Sequence, residues 1–289
     1  MAETLFLSLC NEMLADEGLT LSEQCSVAKA LGYKGLELAP GSLGAQPHRL
    51  EETALCKMRD QVEAQGMRVT GLHWLLSPYP QASIVDPSRN NETRSILLAL
   101  VDQCAILGGD VLVHGSPSSR FIPQRMDEGA AWQNAVRLFK DVAARAEERR
   151  ITYCIEPLSR AETAFINTVE EAFALVEAVG SPAFQTMIDT SAAGQAETMP
   201  VADLIEHWVP KGCIAHIQVN DTNRAAPGAG EDPFHNIVSA LHRVGWNKPV
   251  AVEPFKQVIN ATTTAAIGAA TMNAHWRAAG ANAKQRRGA

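Results

Sequence analysis

A closed parallel barrel of eight β/α units, the (β/α)8 or TIM-barrel architecture of the α/β class, is the fold this sequence predicts, as one domain over residues 1–289. The first ground is a short apolar run rich in β-formers followed by a longer stretch with helical spacing, a pattern that recurs eight times. The second is its period. Strand ends at Leu9 and Glu253 bracket seven intervals of about 35 residues, and a barrel of this kind needs ~250 residues in all. The third is negative: a doubly wound open sheet, the chief alternative, would carry a GxGxxG phosphate loop after its first strand, and none is present.

The elements follow in order. Strand one is Leu5 to Leu9, and helical spacing over Leu21 to Leu31 stops at Gly32. Strand two, Gly35 to Ala39, leads to a helix over Glu51 to Gln65 that stops at Gly66. Strand three, Arg68 to Leu75, precedes a helix over Glu92 to Leu107 ended by Gly108. Strand four is Val111 to His114, with a helix over Gly129 to Glu148. Strand five is Thr152 to Glu156, with a helix over Val169 to Val179 before Gly180. Strand six, Phe184 to Asp189, precedes a helix over Val201 to Trp208; strand seven, Ala215 to Asn220, precedes one over Ile237 to Val244, stopped by Gly245. Strand eight is Val250 to Glu253, and Ala261 to Ala278 forms the last helix. Glycine suits these stops because it takes the left-handed conformation that closes a helix. No linker, low-complexity run or repeat divides the chain, and from about residue 280 a flexible tail is expected, with Lys284 to Ala289 solvated.

Composition narrows the function. With 25 Lys plus Arg against 32 Asp plus Glu, the net charge is −7, which leaves no broad basic face for nucleic acid. Six cysteines (Cys10, Cys25, Cys56, Cys104, Cys154, Cys213) stand singly, without a CxxC pair, and read as reduced thiols. The first residues lack a basic n-region, and no window offers the ~18 apolar residues of a membrane span. The expectation is a cytoplasmic protein acting on a small solute, with neither nucleic acid nor membrane as partner; a homo-oligomer through the exposed rim or the last helices is compatible with the sequence.

In a barrel the catalytic groups come from the carboxyl ends of the strands. Strand five (TYCIEP) ends at Glu156, strand six (FQTMID) at Asp189 and strand eight (VAVEP) at Glu253, while strand seven (AHIQVND) carries His216. Each alone is open to a bland reading: Asp189 as a cap of the next turn, His216 as a hydrogen-bonded core imidazole. Together, three carboxylates at one mouth repel one another unless a cation neutralises them. Oxygen ligands with one imidazole suit Mn²⁺ first, then Mg²⁺ or Co²⁺, with Zn²⁺ also admitted.

These residues sit in motifs that resemble the xylose-isomerase-like sugar isomerase and epimerase superfamily, nearest the ketose 3-epimerases and hydroxypyruvate isomerases. The motifs are Glu156-Pro157-Leu158 with Arg160 and Glu162, Phe165-Ile166-Asn167-Thr168, Asp189-Thr190, His216 with Asn220-Asp221, Pro227-Gly228 and Val252-Glu253-Pro254. The resemblance implies Glu156, Asp189, His216 and Glu253 as ligands of one divalent ion. It further implies Glu156 and Glu253 as the acid–base pair of an enediolate mechanism on a small ketose, sugar acid or other polyhydroxy carbonyl compound. Glu162 falls at the position of a family glutamate that holds the substrate's carbonyl end. His73, His114, Trp74, Arg224 and Glu37 are further candidates for the substrate pocket, and Arg160 and Asn167 are expected as loop anchors.

The sequence departs from the 3-epimerase pattern at two substrate-binding places. Ala192 stands where the family has a His after the strand-six Asp, and Thr222 where it has an Arg after the strand-seven His, with Arg224 as a replacement. His73 and His114 match zinc-binding positions of the endonuclease IV relatives, so a second metal bridged by Glu156 is conceivable. The abasic-site endonuclease itself is disfavoured, because Ala192 and Asp232-Pro233-Phe234 replace histidines of its cluster. Arg120 lacks the Gly-rich cradle of a phosphate site. A lyase or decarboxylase passing through the same enediolate and a non-catalytic sugar-binding barrel remain as alternatives.

Overall fold

In the computed structural model, which describes residues 4–288 with side chains as far as residue 282, eight parallel strands close on themselves in sequence order. The strands are β1 (Leu7–Cys10), β2 (Gly35–Leu38), β3 (Arg68–Leu72), β4 (Val111–His114), β5 (Thr152–Ile155), β6 (Phe184–Asp189), β7 (Ile214–Val219) and β8 (Val250–Val252). Around them lie α1 (Glu12–Asp16), α2 (Leu21–Ala30), α3 (Glu52–Ala64), α4 (Asn90–Leu107), α5 (Glu128–Arg149), α6 (Val169–Val179), α7 (Thr190–Ala196), α8 (Val201–Trp208), α9 (Phe234–Arg243) and α10 (Ala261–Gly288). Helix α10 reaches into the stretch expected as a tail, and the side chains of Lys284 to Ala289 lie outside the described residues.

The ends that moved have local causes. β5 stops before Glu156 and β8 before Glu253 because Pro157 and Pro254 follow and have no N–H to donate to a ladder. β3 ends at Leu72 rather than Leu75, since Trp74 takes φ +52°, which breaks the pleat. Helices α1 and α7, of 5 and 7 residues, are too short to show a period. Gly108 and Gly180 close α4 and α6 in the left-handed region, as their spacing predicts.

Strand side chains alternate between the helical layer and the barrel axis. Leu7, Leu9, Leu36, Leu38, Leu112, Tyr153, Ile155, Ile188, Ile217, Val219, Val250 and Val252 belong to the large apolar core against the helices. The residues between them point inward. Val111, Val113, Cys154 and Met187 form a separate apolar plug inside the barrel. Toward the carboxyl ends of the strands, the inward positions are Cys10, Glu37, Gly115, Glu156, Asp189, Gln218 and Glu253. This parity decides what the site contains.

Candidate active site

Glu156, Asp189 and Glu253 hold the inward positions where β5, β6 and β8 end, and all three are buried. One carboxylate oxygen from each lies within 4.8 Å of those of the other two. Asp189 Oδ1 accepts a hydrogen bond from Ala192 N at 2.7 Å, capping α7, which leaves Oδ2 buried with no hydrogen-bond partner. Glu253 Oε2 is likewise unpartnered, while Asn220 Nδ2 donates to the Glu253 backbone carbonyl at 3.0 Å and fixes the strand end. Burial, then the charge of Asp189, pushes the Glu156 carboxyl well above the usual range, against the nearby Arg120 guanidinium. Burial, then Glu156 and Asp189, does the same to Glu253. Asp189 is raised to about 7, chiefly by burial. Unpaired buried carboxylates with free oxygens are a donor set for a hard divalent cation, so the residues fit the metal that the sequence suggested.

His216 is not brought into this group. In the β6–β7 register Asp189 faces Gln218, whereas His216 faces Met187, a step deeper in the barrel. There His216 Nε2 lies 2.9 Å from Glu37 Oε2, and Gln218 Nε2 donates to Glu37 Oε1 at 2.8 Å. Burial pushes the Glu37 carboxyl up, but His216, with help from His73 and Gln218, holds it below its ordinary value. Glu37 is fully buried and makes no rim contact, which corrects the expectation of a substrate contact. With Nε2 engaged, Gln218 Oε1 is buried and unpartnered at the level of Asp189. Gln218 is the residue that sequence reasoning missed. The signal was the alternation in HIQVND, where positions 216 and 218 share the inward face.

The two other histidines divide the same way. His114 has outward parity, and its ring meets Phe139 edge-on at 5.6 Å. Its Nδ1 lies 2.7 Å from Tyr153 OH and its Nε2 3.1 Å from Ser119 Oγ. Ser119 Oγ already donates to Ser116 O, so it accepts from Nε2–H, and Tyr153 donates to Nδ1. Burial and the Arg120 charge hold His114 well below its usual pKa, in keeping with this neutral tautomer. Both nitrogens are occupied, so His114 is neither a substrate group nor part of a second metal bridged by Glu156. His73 points inward: its Nε2 is 2.8 Å from Glu12 Oε2 and 3.9 Å from Glu253 Oε1. Arg120 is buried, donating to the backbone carbonyls of His114 and Phe165, and serves as a structural cation rather than an open phosphate clamp.

A cleft of about 290 Å³ opens over Glu156 and Glu253. One wall is a stack: the Trp74 and Phe255 rings lie 5.8 Å apart at 17°, and the Arg224 guanidinium covers Phe255 at 4.4 Å. Arg224 Nη2 reaches Glu162 Oε1 at 3.5 Å across the mouth, and Ser159 Oγ donates to Glu162 Oε2 at 2.7 Å. Asn167 Nδ2 ties the loop by donating to Leu158 O and Thr163 O, and Arg160 donates to Asn167 Oδ1, the anchoring roles expected of both. Thr222, in the departed position, donates from N and Oγ1 to Asp232 Oδ2 and only shapes its loop.

A family model described as xylose isomerase-like TIM barrel matches residues 25–275. D-psicose 3-epimerase of Ruminiclostridium cellulolyticum is 30% identical over 130 residues, covering 45% of this chain and 43% of that protein. D-psicose 3-epimerase of Agrobacterium fabrum is 31% identical over 132 residues, 46% of this chain and 45% of that protein. The matched stretches thus span less than half the length of these curated relatives. Among solved structures, L-ribulose 3-epimerase superposes with a TM-score of 0.78 at 17% identity, covering 99% of this chain and 98% of that one. D-psicose 3-epimerase crystallised in the presence of D-fructose gives 0.75 at 20% identity, covering 97% and 98%. At these identities the likeness is one of fold.

Proposed function

The chain belongs to the xylose isomerase-like TIM barrel family, and we propose that it is a divalent-metal-dependent epimerase or isomerase of a small ketose, sugar acid or related polyhydroxy carbonyl compound. The observation that carries this reading is the trio of buried, mutually repelling carboxylates at the strand ends, two of them with unpartnered oxygens. The ketose 3-epimerase relatives favour epimerisation. Glu156, Asp189 and Glu253 would hold the ion, with Gln218 Oε1 in the place first assigned to His216; an all-oxygen set favours Mn²⁺ or Mg²⁺. When bound, the ion supplies Lewis-acid stabilisation of negative charge developing on the substrate's carbonyl oxygen.

The protein's own groups account for the proton. Glu156 and Glu253 stand at the two ends of the β5–β8 arc, and both line the cleft. One takes the proton from the carbon beside the carbonyl and the other returns it to the opposite face, which inverts that centre. General acid–base catalysis of this kind contributes typically ~10²–10⁴-fold. The Trp74–Phe255 stack offers an apolar wall to the C–H face of a sugar, and Glu162 and Arg224 offer polar ends to its hydroxyls or carboxylate. The cleft sits at the small end of the ~300–1,000 Å³ typical of ligand sites, in keeping with a small solute. Six unpaired cysteines support a cytoplasmic setting, and no helix among the described residues is long and apolar enough to cross a membrane.

The test is incorporation of solvent deuterium into a panel of free and phosphorylated ketoses and sugar acids, with and without Mn²⁺. Metal-dependent exchange that disappears in both Glu156→Gln and Glu253→Gln is the expected result. No exchange across the panel, or near-normal exchange in both variants, sinks the reading. A product with fewer carbons would instead identify a lyase.

A further inference from the structure

We propose a second metal site beside the first, in which Cys10 Sγ, the Glu12 carboxylate and the His73 imidazole take a zinc-class ion and Glu253 bridges the two sites. The inference rests on the proposed function only in sharing Glu253. One donor atom from each of Cys10, Glu12 and His73 lies within 4.8 Å of the other two, and all three residues are buried. Bonds of ~2.0–2.3 Å to a tetrahedral ion set neighbouring donors about 3.3–3.7 Å apart, so side-chain shifts on the order of 1 Å would close the cluster.

Apart from the contact of His73 Nε2 with Glu12 Oε2 at 2.8 Å inside it, the cluster lacks partners. Glu12 Oε1 and His73 Nδ1 are buried with no hydrogen bond, a state that costs stability unless something fills it. Cys10 Sγ has only long contacts, 3.9 Å to Glu37 Oε1 and 3.8 Å from Gln218 Nε2. Glu253 turns Oε1 toward His73 at 3.9 Å, while its Oε2 is the unpartnered atom. One carboxylate can thus face two ions. Burial and the charges of Glu37, Glu253 and Glu12 push the Cys10 thiol well up; the same negative field attracts a cation, which would displace the thiol proton on binding.

Donor chemistry separates the sites. Sulfur and imidazole select Zn²⁺ or Co²⁺ over Mn²⁺ or Mg²⁺, whereas the all-oxygen trio does the reverse. Titrating the metal-free protein with Co²⁺ should give a near-ultraviolet thiolate-to-cobalt band, and protein loaded with both Zn²⁺ and Mn²⁺ and then dialysed should retain one equivalent of each. Cys10→Ser, with Cys10→Ala as a second variant against misfolding, should lose the band and the zinc and keep the equivalent of manganese. Glu156→Gln should weaken the first site and keep the band, which separates failure of this inference from failure of the catalytic one. Absence of the band at saturating Co²⁺ in the parent protein, or its survival in the Cys10 variants, overturns the proposal.

Discussion

Replacing Gly115 by alanine adds one methyl group at the inward position where β4 ends, beside β5. A Cβ built there would lie under 3.0 Å from Glu156 Oε2, and its next neighbours are the other heavy atoms of the same carboxylate. Gly115 does not take positive φ, so alanine suits the backbone. The strain falls on the far end of a flexible side chain, which must swing by about 1 Å to restore ordinary contact. A misplacement of that size in a catalytic group can cost ~10²-fold in rate, or about 2.7 kcal/mol at ~1.36 kcal/mol per tenfold. The stability change should stay below the ~1–3 kcal/mol of overpacking a rigid core. The assay is kcat/KM on the best ketose of the exchange panel, in Mn²⁺-loaded protein, beside a thermal melt and a metal titration. A folded Gly115→Ala variant within about threefold of the parent, with unchanged metal affinity, would refute the placement of Glu156 at the chemistry.

Gln218→Leu should weaken binding of the catalytic ion by roughly 10–100-fold in a metal titration, whereas His216→Ala should act on stability. The latter leaves the Glu37 carboxylate buried without its imidazole partner, a loss of about 3–5 kcal/mol in denaturant unfolding; equal effects of the two on metal affinity would contradict the assignment. His114→Phe deletes two buried hydrogen bonds, and calorimetry should show a loss of about 1–3 kcal/mol. Metal stoichiometry should not change, and a lost equivalent would restore His114 as a ligand. For the metal-free protein, the raised Asp189, at about 7, means that the native state binds more protons than the unfolded chain between about pH 4 and pH 7. Stability from this source is complete below the ordinary carboxylate range and is lost as pH rises through about 7, so melting temperature should fall across that window and Mn²⁺ should offset the fall. A metal-free melting temperature that climbs over the same window would show that the trio does not govern it.

The barrel, its strand order and the three carboxylates that meet at its mouth were legible because each rests on a short-range signal: an apolar run, a glycine stop, an acid closing an apolar run. Which face a strand-ending residue presents was harder. VLVHGSP offers His114 as the conspicuous group, yet Val113 and Gly115 hold the inward parity and His114 turns to Phe139 and Tyr153. In HIQVND both His216 and Gln218 point inward, and only the register against β6 shows that Gln218 is level with Asp189. A slip of one residue exchanges the faces, and a slip of two changes the depth. Glu12 escaped notice because α1 begins directly after β1 and is too short for a period.

The buried carboxylates around the barrel axis fall into two kinds, and the division follows from what stands next to each. Glu37 has His216 at 2.9 Å and Gln218 at 2.8 Å and is held in its charged form. Glu156, Asp189 and Glu253 have chiefly one another; burial raises all three, and repulsion within the trio adds to it for Glu156 and Glu253. A protein optimised only for stability would supply the trio with a lysine or arginine at hydrogen-bonding distance, as His216 is supplied to Glu37. Arg120 is close enough to favour the charged form of Glu156, but its guanidinium donates to the His114 and Phe165 carbonyls instead of entering the group. On the proposed function, a divalent ion would supply that charge where the cleft opens over Glu156 and Glu253. A neutralising charge that arrives from solvent can be shared with a substrate oxygen, whereas one fixed on the chain would be sealed by its own hydrogen bonds. On that reading, the instability tolerated at the rim is the condition for chemistry there, and the Glu37, His216 and Gln218 contacts beneath it keep the remainder of the axis inert.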